Sequence, residues 1–247
     1  MKQRLNQLIS RLKIRIQSIV VLAMVSSALL YIWIGNGMDF ITLDSDFGRD
    51  LKEMSNIYLG NFVWLGPWLN PGLHASSTYY YLFYPALLIV RFNPLGMIWM
   101  QIGLTLIAII MAATTLPLKH RYISYLTIIT FGTFPWILQI ATHPGNGYTY
   151  AAFTLAALSS ILMSWPIIIS AFLIGWATAM HPAAIIIMPI LLINIIKHRP
   201  SVFKLISYLI AFCVPWSTLI GYEIITKGFI IRSWWAKPTT GGITFEF

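Results

Sequence analysis

Windows of about 20 residues with almost no charge recur along this chain, and no other feature limits its folding more. Wound as an α-helix at about 1.5 Å per residue, about 20 residues cross a hydrocarbon core of ~30 Å, and several of these windows reach that length. They lie near residues 18–35, 95–117, 122–142, 147–163, 165–181, 183–196 and 202–224. The composition points the same way, since 58% of the 247 residues are hydrophobic and 9% charged, with mean hydropathy +0.76. A soluble domain carries roughly 25% charged residues. The chain therefore reads as an all-α integral membrane protein with about seven transmembrane helices, and no tandem alternating strands suggest a barrel.

Residues 1–17 carry Lys2, Arg4, Arg11, Lys13 and Arg15 among Leu5, Leu8, Ile9, Leu12 and Ile16 at helical spacing. This is a basic amphipathic leader suited to an anionic cytoplasmic leaflet. The apolar run after it is long for a signal-peptide core and lacks a clean small-x-small cleavage site, so it reads as a retained first span. With the N-terminus in the cytoplasm, Lys119, Arg121, Lys197, Arg199 and Lys204 join the leader inside, ten of the 16 Lys and Arg. That is the positive-inside pattern. The seven carboxylates then all face outside, in the first loop or towards the C-terminus.

One apolar stretch, Tyr79 to Phe92, is short, opens on three tyrosines and contains Pro85. Counting it as a span would invert everything after it, so it is expected to be an interfacial helix with its Tyr rings at headgroup depth. A second surface helix is expected over about 47–59, where Phe47, Leu51, Met54 and Tyr58 form one apolar stripe behind the helix-capping residues Asp44, Ser45 and Asp46. The whole chain is thus one membrane module. Both surface helices (about 47–59 and 79–92) belong to a first outer loop over 36–94, and residues 225–247 form an outer tail.

The acidic residues are gathered unusually: Asp44, Asp46, Asp50 and Glu53 fall within "LDSDFGRDLKEM", residues 43–54. A structural reading makes them a helix cap and a solvated face with Arg49 and Lys52. A functional reading notes that Asp46 and Asp50, four apart, share one side of a helix start held against the bilayer. There a carboxylate could take a proton from an acceptor hydroxyl, while Arg49 meets a phosphate. Both readings stand on the pattern alone.

"DFGRDL" is followed by "LGPW", "GLHASSTYYYLFYP" and "NPLG", and this series resembles the first loop of type-C glycosyltransferases of the family-39 kind, relatives of protein O-mannosyltransferases and aminoarabinose transferases. "FPWILQIATHPGNG" and "GWATAMHPAAIIIMP" extend the resemblance more weakly to most of the chain. It implies a conserved seven-helix module with two surface helices in the first loop. It also implies transfer of a sugar from a polyprenyl-phosphate donor to an acceptor at the outer face, by an inverting displacement with an Asp base and no nucleotide sugar. By motif position that base is Asp46, with Asp50 supporting it and Arg49 as a phosphate or structural partner. His74, Tyr80, His143, Asn146 and His181 become candidate substrate or phosphate contacts.

Where relatives read Gly-Pro-Leu before the tyrosines, this chain has Ala75, Ser76, Ser77 and Thr78. The resemblance also implies further spans, whereas the sequence ends at "PTTGGITFEF". A minimal enzyme, an inactive or partner-dependent subunit completed by a second chain, and, more remotely, a lipid or solute transporter are the readings left open. The expected setting is a bacterial or archaeal plasma membrane, with membrane lipids, the lipid-linked donor and an acceptor of unknown identity as partners. No cofactor is expected to be required, and a divalent ion at Asp44 and Asp46 has only charge density in its favour. The single cysteine, Cys213, excludes an internal disulfide. The net charge of +9 follows from topology rather than from nucleic-acid binding.

Overall fold

The computed structural model describes residues 22, 24–35, 45–70, 73–115 and 121–230. Asp44, the leader and most of the tail lie outside them. The described chain is mostly helical. Helix α1 spans Met24–Gly35 and α2 spans Ser45–Tyr58. A two-stranded antiparallel hairpin follows, β1 (Leu65–Asn70) with β2 (Leu73–Ser76). Then come α3 (Thr78–Ile89), α4 (Leu95–Thr114), α5 (Arg121–Thr133), α6 (Pro135–Thr142), α7 (Asn146–Leu162) and α8 (Ile167–Met180). A 3₁₀ turn, Pro182–Ile187, runs into α9 (Met188–His198), and α10 (Val202–Cys213) continues through a second, Val214–Trp216, into α11 (Ser217–Ile225).

Two of these helices are long and apolar enough to cross a membrane: Leu95–Thr114, and Val202–Ile225 taken through its 3₁₀ turn. The second presents an apolar exposed surface, with Phe203 84% and Ile224 73% exposed.

Packing is built on small residues and a few satisfied polar groups. Helix α7 lies against α4 and α8, and α8 in turn against α10. Gly175 of α8 meets the backbone of Phe212 so closely that a Cβ there would collide with its carbonyl, the close approach that small residues permit between helices. Gln101 is fully buried in α4; its amide donates to the Ile140 carbonyl at 2.8 Å and its oxygen accepts from Thr149 at 2.7 Å, joining α4, α6 and α7. Trp33 of α1, also buried, donates to the Gly132 carbonyl at 2.7 Å.

Three features differ from the sequence expectations. The single helix expected over 122–142 is two, α5 and α6, because Pro135 cannot donate into a continuing helix and instead opens a new one. A β-hairpin occupies residues where no strand was expected. The tyrosines of α3 point into the protein: Tyr79 and Tyr80 are 0% and 1% exposed, packed with Phe47, Met54, Phe83 and Leu87. Phe47 and Met54 of the α2 stripe cover them, while Tyr58 at its end is 62% exposed.

Candidate functional site

The acidic cluster takes its geometry from the one-sided packing of α2. Phe47 and Met54 are buried beneath it. Asp50 stands three residues after the first and four before the second, so it turns inward with them. Its side chain is 1% exposed, while that of Asp46 is 74% exposed.

Arg49 joins the two acids. Its Nη1 donates to Asp46 Oδ1 at 2.9 Å, and its Nε and Nη2 donate to Asp50 Oδ1 at 3.0 and 2.8 Å. Burial pushes the Asp50 carboxyl from an ordinary 3.8 up to about 6, against the charge and hydrogen bonds of Arg49, which pull it down. Burial works against the Arg49 charge too, but the carboxylates outweigh it and its pKa is raised. The hydroxyls of Tyr79 and Tyr80 are pushed up by burial and then by the Asp50 charge, which keeps both protonated.

The end of α2 leads the chain round to the other side of the site. Gly60, at φ +84°, closes the helix with its N–H on the Ile57 carbonyl and that of Asn61 on the Asn56 carbonyl, a Schellman stop that needs the left-handed residue glycine supplies. The hairpin then brings His74 back. Its Nδ1–H donates to the Gly66 carbonyl at 3.0 Å, and Gly66 itself lies too close to the Ser76 backbone to carry a Cβ. An open cavity of about 560 Å³ results, lined in part by Arg49, Glu53, Trp64, His74, Tyr80 and Tyr222.

Arg49, His74 and Tyr80 thus come together in one cavity wall, with Asp46 and Asp50 attached through Arg49. His143, Asn146 and His181 do not line it. They meet where α6, α7 and α8 end: the His143 ring is 5.7 Å from that of Tyr148, and His181 stacks on Tyr150 at 4.8 Å. Asn146 Nδ2 donates to the Met180 carbonyl at 3.3 Å, and His181 Nδ1 accepts from the Ala183 N–H at 3.2 Å. These bonds describe helix-end residues. Among the described residues no three His, Cys, Asp or Glu side chains are grouped to hold a metal ion.

Sequence reasoning missed Trp64 and Tyr222 as cavity residues, and missed what holds Tyr222 there. Ser76 Oγ and Thr218 Oγ1 are 2.9 Å apart, and Thr78 Oγ1 donates to the Pro215 carbonyl at 2.6 Å. Gly221 also lies against the Trp64 ring, leaving no room for a Cβ. The residues Ser76 and Thr78, which depart from the resembled pattern, therefore fasten α3 and the hairpin to α11. No protein-family model, no curated protein and no solved structure matches the chain.

Proposed function

We propose that this protein transfers a sugar from a polyprenyl-phosphate-linked donor to an acceptor hydroxyl at the outer face of a membrane, and that about seven spans embed it there. One observation carries the reading: a single guanidinium, Arg49, holds one exposed and one buried carboxylate beside an open cavity. Asp46 is open to an incoming group and acts as the base. Asp50, out of reach of solvent, positions Arg49 and through it Asp46.

In the step itself, the acceptor oxygen bonds to the anomeric carbon as that carbon's bond to the phosphate oxygen breaks on the opposite face, so the configuration inverts. The acceptor proton passes to Asp46, and the electron pair of the broken bond departs with the polyprenyl phosphate. A lipid phosphate is already a good leaving group, which leaves alignment and the base as the main contributions of the protein. Arg49 has its donors turned towards Asp46 and Asp50, which supports a structural role for it over a phosphate contact. The apolar helices Leu95–Thr114 and Val202–Ile225 support a setting in which the carrier's chain stays in lipid.

The test is incorporation of radiolabelled sugar from a panel of polyprenyl-phosphate sugars into membranes containing the wild type, Asp46→Asn or Asp50→Asn. Label is expected with the wild type, a loss of about 10²-fold or more with Asp46→Asn, and a smaller loss with Asp50→Asn. A folded wild type that uses no donor sinks the self-sufficient transferase. A fully active Asp46→Asn removes Asp46 as the base.

A further inference from the structure

Helices α8 and α10 run in the same direction and touch over part of their length. Gly175 meets the Phe212 backbone, and one turn further on Trp216 Nε1 donates to Thr178 Oγ1 at 3.3 Å. On the N-terminal side of the Gly175 contact they leave a groove of about 490 Å³, lined by Ile168 and Phe172 of α8 and by Ser207, Ile210 and Ala211 of α10. Ile168 is 41% and Ile210 59% exposed, so the groove opens on the outer surface of the helix group. The hydroxyl of Ser207 is spent within α10, donating to the Phe203 carbonyl at 3.0 Å. What remains is an apolar slot that suits a hydrocarbon chain.

Such a slot does not choose among lipids, because their tails are all as apolar as its walls. Any choice falls to the charges at its end. Lys204 is exposed and stands one turn before Ser207 on the same face of α10, at positions 204, 207 and 211. The turn leading into α10 adds Lys197 and Arg199, both exposed; Arg199, at φ +43°, closes α9 with its N–H on the Ile195 and Ile196 carbonyls. Ile195 packs against the cluster that contains Ile167, the first residue of α8, so the three cations gather at one end of the group. None of them forms an ion pair among the described residues. The sequence has no Asp or Glu between Glu53 and Glu223, and an anion held here meets no carboxylate from these helices.

We infer that the groove between α8 and α10 holds an acyl chain of an anionic phospholipid, with Lys204 on its headgroup phosphate and Lys197 and Arg199 beside it. The site rests on the membrane setting proposed above and not on the transfer chemistry. In the seven-span arrangement it belongs to the cytoplasmic leaflet, across the membrane from Asp46 and Arg49.

The test is native mass spectrometry of the full chain in detergent, titrated with phosphatidylglycerol or phosphatidylcholine of identical acyl chains. Phosphatidylglycerol is expected to bind the wild type about tenfold more tightly, since each cation at headgroup depth favours the anion. Lys204→Gln should cut that preference about fivefold, and Lys204→Arg should keep it. Ser207→Trp, which fills the groove without touching a charge, should weaken phosphatidylglycerol to the level of phosphatidylcholine. Arg91→Gln, which removes an exposed cation that does not line the groove, should change nothing.

Equal affinity for the two lipids overturns the inference. So does a preference that survives both Lys204→Gln and Ser207→Trp, or one that falls as far with Arg91→Gln. A dimer that Ser207→Trp breaks would give the groove to a second copy of the chain, and displacement of phosphatidylglycerol by equimolar polyprenyl phosphate would give it to the carrier. Either result sinks the phospholipid site. Lipid binding is read without turnover, so a wild type that transfers no label leaves it measurable, and a chain without the lipid preference leaves label incorporation measurable.

Discussion

At Asp50 burial and charge oppose one another most directly. The carboxyl is held at about 6 instead of 3.8 because desolvation outweighs Arg49. Between these two values the native protein binds a proton that the unfolded chain has released, so this group favours the native state most at the acid end. Its contribution is lost as pH rises through about 6. In the proposed transfer the dependence runs the other way, since a protonated Asp50 holds Arg49 less firmly and leaves Asp46 less well placed. As pH falls from 6 to 4, the unfolding midpoint of the wild type should rise relative to that of Asp50→Asn, while transfer by the wild type drops with a midpoint near 6. Thermal melts of both proteins over pH 4–8 check the first part and initial rates the second; a constant difference between the melts would refute the account. Part of this was legible: the acids and Arg49 stand out as a cluster, but Asp46 and Asp50, four apart, were expected to share one side of the helix, and the packing of α2 leaves Asp46 exposed and Asp50 buried. Tyr222 was not legible, because nothing local to "IGYEII" says that it returns to a loop more than a hundred residues earlier.

Among the elements, the apolar helices were the easiest to read, since an aliphatic run of about 20 residues can satisfy its backbone within one segment only as a helix. Leu95–Thr114 lies within the expected 95–117, and Ile167–Met180 within 165–181. The breaks at Pro135 and Pro215 fall inside the expected spans 122–142 and 202–224, whereas Pro182 lies between the expected 165–181 and 183–196; each proline sits in the first turn of a new helical segment. The hairpin escaped because "LGPWLNPGLHAS" has no clean alternation; its pairing is irregular and depends on Gly66. The join between these elements is where a substitution should be felt. Thr78→Val keeps the side-chain shape but removes the hydroxyl that donates to the Pro215 carbonyl and reaches Ser76 Oγ at 3.0 Å, all of it buried. The expected cost is about 1–3 kcal/mol, the usual penalty for stranding a buried partner. With that tie cut, α11 should move away from Trp64, and a cysteine at Tyr222 should react faster with a water-soluble thiol reagent. Unchanged stability together with an unchanged reaction rate would mean that Ser76 and Thr78 do not fasten α11.

For the molecule as a whole, the seven crossings proposed above meet a constraint of length. Residues 122–196 contain no Lys, Arg, Asp or Glu, yet the helices within them are short. Helix α8 has 14 residues, about 21 Å at 1.5 Å per residue, against a core of ~30 Å. Two physical solutions exist: short helices lengthened by flanking turns in a locally thinned bilayer, or half-spans meeting inside the protein. In the seven-span arrangement five crossings separate the first loop from residue 201. Asn61 and Ser201, both exposed, must then face opposite compartments. With Cys213→Ser as background, Asn61→Cys should react with an impermeant maleimide added outside intact cells, and Ser201→Cys only after permeabilisation. Labelling of both from outside would leave an even number of crossings between them. That result would remove one span or add the tyrosine-rich helix α3, whose Tyr79 and Tyr80 are buried against α2. Opposite labelling would place Asp46, Arg49 and the cavity in the compartment that Asn61 faces, because all of them belong to the same packed loop.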